Sequence, residues 1–137
     1  MATAGQRMDR IASAPMDFVL TGTNLDAPDA NALAGFYHRL LGGTVKTDEP
    51  GWVVLRPPGG GHTLNFQTET HYVRPVWPAA PDDPPMMMHL EIKVDDLGGA
   101  VARAVELGAT LAGFQPQPDV RVCLDPAGHP FCLYVEA

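Results

Sequence analysis

The chain has 137 residues, 45% of them apolar, and carries nine Lys and Arg against sixteen Asp and Glu, a net charge of -7 at pH 7. That length suits one domain or two small modules sharing a core, and the negative balance removes the general source of attraction to nucleic-acid phosphate or anionic lipid, so neither is expected as a partner. No window approaches the roughly 20 apolar residues of a membrane helix, and the opening MATAGQRMDRIASAP has no secretory apolar stretch, which points to a cytoplasmic protein.

Residues 1–15 read as a flexible tail, and a first module is expected over 16–68. Within it Asp17 to Leu25 (DFVLTGTNL) is β-prone and leads into the turn Ala27-Pro28-Asp29. From Asp29 the apolar positions Leu33, Phe36, Tyr37, Leu40 and Leu41 make one helical stripe, which Gly42 and Gly43 stop. Three short β-like runs follow, Gly43 to Thr47, Gly51 to Arg56 and Thr63 to Thr68, with Gly59-Gly60-Gly61 turning between the last two. Residues 69–87 form a Pro-rich crossover arm without periodicity, in which Tyr72 and Trp77 are expected to pin the arm to one module.

The second module, 88–137, repeats this order. His89 to Val94 alternates strictly, so Leu90, Ile92 and Val94 share one strand face and His89, Glu91 and Lys93 the other. Asp95 and Asp96 cap a helix striped by Leu97, Val101, Ala104 and Val105, Gly108 ends it, and strands are expected over Thr110 to Phe114, Val120 to Leu124 and Phe131 to Val135. A separation of 67 residues relates Asp29 to Asp96 and Gly61-His62 to Gly128-His129, while 66 relates Leu41-Gly42 to Leu107-Gly108. A βαβββ unit is therefore used twice with one indel, and neither copy buries its apolar face alone.

The doubled unit, HLEIKVDDL opening the second helix, ELGAT closing it and DPAGHPFCLY near the C-terminus resemble the vicinal oxygen chelate superfamily, which includes glyoxalase I, bleomycin-resistance proteins and extradiol dioxygenases. FYHRLLGG, the VWP of the arm and GHPFCL are similar to its glyoxalase-like domain branch. The resemblance implies an α+β fold in which two tandem βαβββ modules form a rolled, cup-shaped mixed sheet, and it implies a homodimer. It also implies metal-ligand positions on the first and last strands of each module, here His89 and Cys132, and by the 67-residue offset Gly22 and Asn65. Gly22 has no side chain to bind with, and an Asn amide is a poor ligand beside a carboxylate, so no catalytic metal is expected. A divalent Zn, Ni, Mn or Fe ion is the alternative.

His89 and Glu91 are the candidate catalytic pair, since a carboxylate on the same strand face can orient an imidazole. Asn24, Asn65, Gln67, Lys93, Arg121, Cys132 and Tyr134 are expected to join them as a polar cup floor, unless these are merely the solvated face of a sheet. Trp52 and Phe114, with Phe18 and Met86 to Met88, are expected as apolar rim and walls. Cys123 and Cys132 sit equally far from the centre of the Pro126 to His129 turn; if they face each other, His89, Cys132 and Cys123 make a zinc site, and otherwise each is a small buried hydrophobe. His62 and His129 are read as turn residues, and Ser13, in the tail, is the only serine, which argues against a serine hydrolase.

The expected function is binding of a small organic molecule in a concave cavity without a catalytic metal, by sequestration or with proton transfer at His89 and Glu91. The alternatives are a metal-dependent lyase, isomerase or dioxygenase of the same superfamily, and a non-catalytic accessory domain.

Overall fold

A computed structural model describes residue 11 and residues 18–136. The tail expected over 1–15 therefore lies outside the described residues, apart from Ile11. The first module runs β1 (Gly22–Ala27), α1 (Ala30–Leu41), β2 (Thr44–Glu49), β3 (Trp52–Arg56) and β4 (Thr63–Thr68), and the second runs β5 (Leu90–Lys93), α2 (Leu97–Leu107), β6 (Thr110–Leu111), β7 (Val120–Leu124) and β8 (Pro130–Tyr134). Each makes a four-stranded mixed sheet, ordered β1-β4-β3-β2 and β5-β8-β7-β6, in which the first and last strands pair in parallel and the others antiparallel. The repeat in the sequence is thus a repeat in the topology.

Both helices begin where a carboxylate accepts an orphan backbone N–H: Asp29 from Ala32 and Asp96 from Gly99. α1 ends because Gly42 takes a φ of 75°, which other residues rarely adopt. Its stripe buries Leu33, Phe36 and Tyr37, and these meet Phe66 of β4 and Phe131 of β8, so one core serves both modules. In α2 only Ala104 is buried; Leu97 and Val101 are half-buried, and Val105, expected on the same stripe, is 46% exposed.

Two strands differ from expectation by more than two residues at an end. β1 begins at Gly22 rather than Asp17, because its partner β4 reaches back only to Thr63, whose N–H donates to the Thr21 carbonyl; Phe18 to Leu20 are left exposed. β6 is two residues long instead of five. The Gln115 side chain takes over the pairing, donating to the Ala112 and Val122 carbonyls and accepting from the Val122 N–H.

The arm is tied down at three places. Tyr72 donates its hydroxyl proton to the Ala127 carbonyl, the Arg74 side chain lies over Gly128, and Trp77 stacks on His89. Asp125 anchors the turn beneath: it is 1% exposed and accepts from Tyr37 Oη at 2.7 Å and from the backbone N–H groups of Ala127 and His129. Burial pushes the Asp125 carboxyl above its ordinary range against these lowering contacts, and burial likewise raises the Tyr37 hydroxyl.

Candidate functional site

In the first sheet the register sets Asn24 beside Asn65, Asp26 beside Gln67, and Gln67 beside Trp52, so the four expected residues Asn24, Asn65, Gln67 and Trp52 share the face away from α1. Two of them, Asn24 and Asn65, are bonded to each other. The Thr63 hydroxyl donates to Asn65 Oδ1 at 2.9 Å, and Asn65 Nδ2 donates to Asn24 Oδ1 at 2.8 Å. At Gly22 a Cβ would collide with Thr63 Oγ1, so the position that the resemblance offers to a metal ligand is already filled from the neighbouring strand. This half of a two-module metal centre has no fitting donor.

The second sheet carries the candidate catalytic pair. His89, Glu91 and Lys93 point away from α2 as the alternation requires, with Cys132 opposite Glu91 and Tyr134 opposite Lys93. His89 Nε2 lies 3.8 Å from Glu91 Oε1, and donor atoms of His89, Glu91 and Cys132 fall within 4.8 Å of one another. Burial first, and then the Glu91 carboxylate, push the Cys132 thiol up to about 12. Lys93 turns to Glu136, 3.6 Å away, rather than toward the trio. Phe114, expected as wall, packs edge-on against Trp77, whose ring lies 4.9 Å from that of His89.

One expected member of the floor, Arg121, and one candidate zinc ligand, Cys123, lie elsewhere. Arg121 pairs with buried Leu133, on the α2 side of the sheet; its guanidinium donates to the Gln117, Pro118 and Val120 carbonyls and lines a hollow with Leu97 and Val101. Cys123 pairs with Phe131, whereas Cys132 pairs with Val122, so the two cysteines occupy opposite faces. Cys123 belongs to the core, where burial raises its thiol to about 11, and it cannot join His89 and Cys132 in a zinc site; Glu91 stands there instead.

The concave space lies between β1 and the segment entering β5. A hollow of about 560 Å³ is lined by Asn24, Asp26, Tyr72, Val73, His129 and Met86 to Met88 among others, and a hollow of about 230 Å³ by Tyr37, Met88, His89, Leu90 and Glu91. They share Thr23, Leu25, Met88 and His129, which makes them one cleft leading to the trio. A third hollow, of about 350 Å³, sets Glu91 and Tyr134 against Gln117 and Asp119. Asn65, Gln67 and Trp52 line none of these.

His129, read from sequence as serving its turn, is the residue that reading missed. Its Nε2 donates to the Asp26 carbonyl at 2.6 Å and lies 3.3 Å from Tyr72 Oη, joining the second module, the first and the arm at the cleft wall. The Tyr72 hydroxyl is raised to about 12, chiefly by burial, so it remains a proton donor at neutral pH. Only the Gly-His pair at matching places in the two halves hinted at a special turn, and His62 is exposed.

A family model described as Glyoxalase-like domain matches residues 22–134. No curated protein sequence matches the chain. Among solved structures, TnmS3, an antibiotic-binding protein from Streptomyces sp. CB03234, is 22% identical with a TM-score of 0.60, the match covering 91% of this chain and 100% of that one. A glyoxalase/bleomycin resistance protein/dioxygenase family enzyme from Burkholderia phytofirmans PsJN is 18% identical with a TM-score of 0.66, covering 86% and 98%. The oxidase ChaP-H2 is 20% identical with a TM-score of 0.60, covering 89% and 96%. At these identities the likeness is one of fold.

Proposed function

The chain belongs to the glyoxalase-like domain family, and we propose that it binds a small organic molecule in the cleft between its modules, without a two-module catalytic metal. The observation carrying this reading is the pair of adjoining hollows, of about 560 and 230 Å³, walled by Leu25, Met86 to Met88 and Tyr72 with His129, His89 and Glu91 as its polar points. Volumes of about 300–1,000 Å³ with mostly apolar walls and a few placed polar groups are typical of ligand pockets, and methionines adapt their shape to what they touch. The antibiotic-binding relative of like fold supports sequestration as the mode.

A thermal-shift screen of chelator-treated protein against aromatic natural products and small carbonyl compounds tests the reading. A ligand at 100 times its Kd stabilises the folded state by about 2.7 kcal/mol. Met88 is exposed, so Met88→Asp should fold and lose the shift. A broad library without a hit, or a hit indifferent to Met88→Asp, counts against the cleft; the former favours an accessory domain.

The 3.8 Å approach of His89 to Glu91 favours a second reading, proton transfer on a carbonyl compound. Solvent deuterium exchange into a bound carbonyl ligand, abolished by His89→Ala, is its signature, and exchange unchanged in that variant removes it. The homodimer is proposed on separate grounds: β1 and β5 are both sheet edges, and Phe18 to Leu20 beside β1 are exposed. Sedimentation velocity should give twice the 14.7 kDa chain mass.

A further inference from the structure

The cleft between the modules is walled by apolar side chains and carries carboxylates without any fixed positive charge to answer them. Asp26 and Glu69 line its larger hollow, of about 560 Å³, and Glu91 its smaller one. Among the described residues no Lys or Arg lines either hollow, and none forms an ion pair with these three carboxylates. We propose that the cleft selects an organic cation, an apolar or aromatic body bearing a protonated amine, and that Asp26 and Glu69 receive the ammonium; this rests on the cleft being the ligand site and names the class of ligand it takes.

The sheet itself sets the two acids side by side. Asp26 lies on the face of β1 turned away from α1, beside Gln67 of β4, and Glu69 follows β4 directly, its backbone N–H donating to the Ala27 carbonyl. Both therefore stand where the parallel pair β1–β4 ends. The field of Asp26 is felt at the arm: the Tyr72 hydroxyl, raised chiefly by burial, is raised further by that carboxylate. Arg74, the cation that opposes this at Tyr72, is laid over Gly128 and stays outside both hollows. Glu91 already faces His89, which leaves the Asp26–Glu69 end for the ammonium.

The rest of the cleft suits the body of such a molecule. Leu25 and Met88 belong to both hollows, and Met86, Met87, Val73 and Tyr72 extend the wall. Thioethers adapt to apolar shapes, and an aromatic face attracts an ammonium group as well as an apolar one. The histidines do not reverse the balance, since His129 spends Nε2 on the Asp26 carbonyl, His89 faces Glu91, and His71 stands in solvent. An anionic ligand would meet like charge throughout, which is how a site rejects a wrong partner. The net charge of -7 also attracts cations from a distance, but salt at about 0.15 M screens that attraction beyond about 8 Å, so selection falls to the carboxylates of the cleft.

Calorimetric titration of the full-length protein at neutral pH and about 0.15 M salt compares 2-arylethylamines, 2-arylethanols and arylacetates, each with phenyl, naphthyl and anthracenyl bodies. The probes match in shape and differ in charge. For the best-fitting body the amine should bind at least about tenfold tighter than its alcohol, beyond the roughly fivefold that an exposed ion pair supplies, and the arylacetate should bind most weakly. Asp26→Asn and Glu69→Gln should each weaken the amine about threefold and together bring it to the affinity of the alcohol, with the alcohol unmoved. Glu106→Gln, the same unit change of charge on α2, should leave all three probes unchanged. Asp26 is exposed, and Glu69→Gln keeps an oxygen to accept from the His71 N–H, so both variants should fold, which far-ultraviolet circular dichroism checks. An amine no tighter than its alcohol, or a preference that survives the double substitution, overturns the proposal. If the alcohol still binds and is lost in Met88→Asp, a control read on the uncharged probe alone, the cleft stands as the ligand site and only its charge selection fails. Silence from all three series overturns both.

Discussion

The two modules share one topology and differ in almost everything their side chains do. In the first, the helix is the centre of the molecule: α1 buries Ala30, Leu33, Ala34, Phe36 and Tyr37, and its aromatic rings touch both sheets. In the second, α2 buries only Ala104, and it is the sheet, through Cys123, Phe131 and Leu133, that meets the core. The outward faces divide just as sharply. The first sets Asp26 and Glu49 apart around the mutually bonded amides of Asn24 and Asn65, and the second gathers His89, Glu91 and Cys132 within reach of one another, with Lys93 beside them. A duplicated unit need not duplicate its burden: one module's helix supplies the centre of the core, and the other module's outer face brings an imidazole, a carboxylate and a thiol together.

Substitutions should break that division unequally. Phe36→Ala removes the ring at the meeting point of α1 and Phe131 and should cost about 3–5 kcal/mol in urea unfolding. Tyr37→Phe leaves buried Asp125 without its hydroxyl donor, with an expected loss of about 1–3 kcal/mol. The same carboxyl gives the comparison a pH dependence. Its folded value is raised above the ordinary 3.8, so the folded state holds the proton more tightly than the unfolded one. That contribution is complete below 3.8 and is lost as pH rises through the raised value. Urea midpoints measured upward from acid pH should show this loss in the parent chain, and a smaller one in Asp125→Asn.

On the second module the effects should be smaller. Val105→Ala, at the exposed end of the α2 stripe, should change stability by less than about 0.5 kcal/mol, and a larger loss would mean that α2 is covered by something beyond this chain. Smallest of all should be the reactivity of the cysteines in native protein. With thiols raised to about 11 and about 12, alkylation by iodoacetamide at mildly alkaline pH should proceed only after unfolding. Rapid native labelling of Cys132 would contradict the account of its burial.

Much of the fold was legible in the chain because local chemistry repeats faithfully. Asp29 and Asp96 start the helices, Gly42 and Gly108 end them, and alternation in His89 to Lys93 assigns each side chain its face. The candidate site was legible in halves: Asn24, Asn65, Gln67 and Trp52 do share one face, and His89, Glu91, Lys93, Cys132 and Tyr134 another. Whether those faces meet was not, and in this chain the cleft draws on the edge of β1 rather than on its sheet. Arg121 shows a further limit, since a charged residue can turn inward wherever loop carbonyls fold over to receive it.

The sequence by itself determined a twice-used βαβββ unit, its caps and turns, and the faces of its alternating strands, because these depend on residues a few positions apart. Tertiary structure decided the rest. Five turn residues, Asp125 to His129, set the β7–β8 register one residue away from the symmetric pairing of Cys123 with Cys132, and in a pleated sheet one residue is the difference between core and surface. His129 finds the Asp26 carbonyl 103 positions away, and Trp77 finds His89 across the arm; such meetings depend on how two modules close over one core.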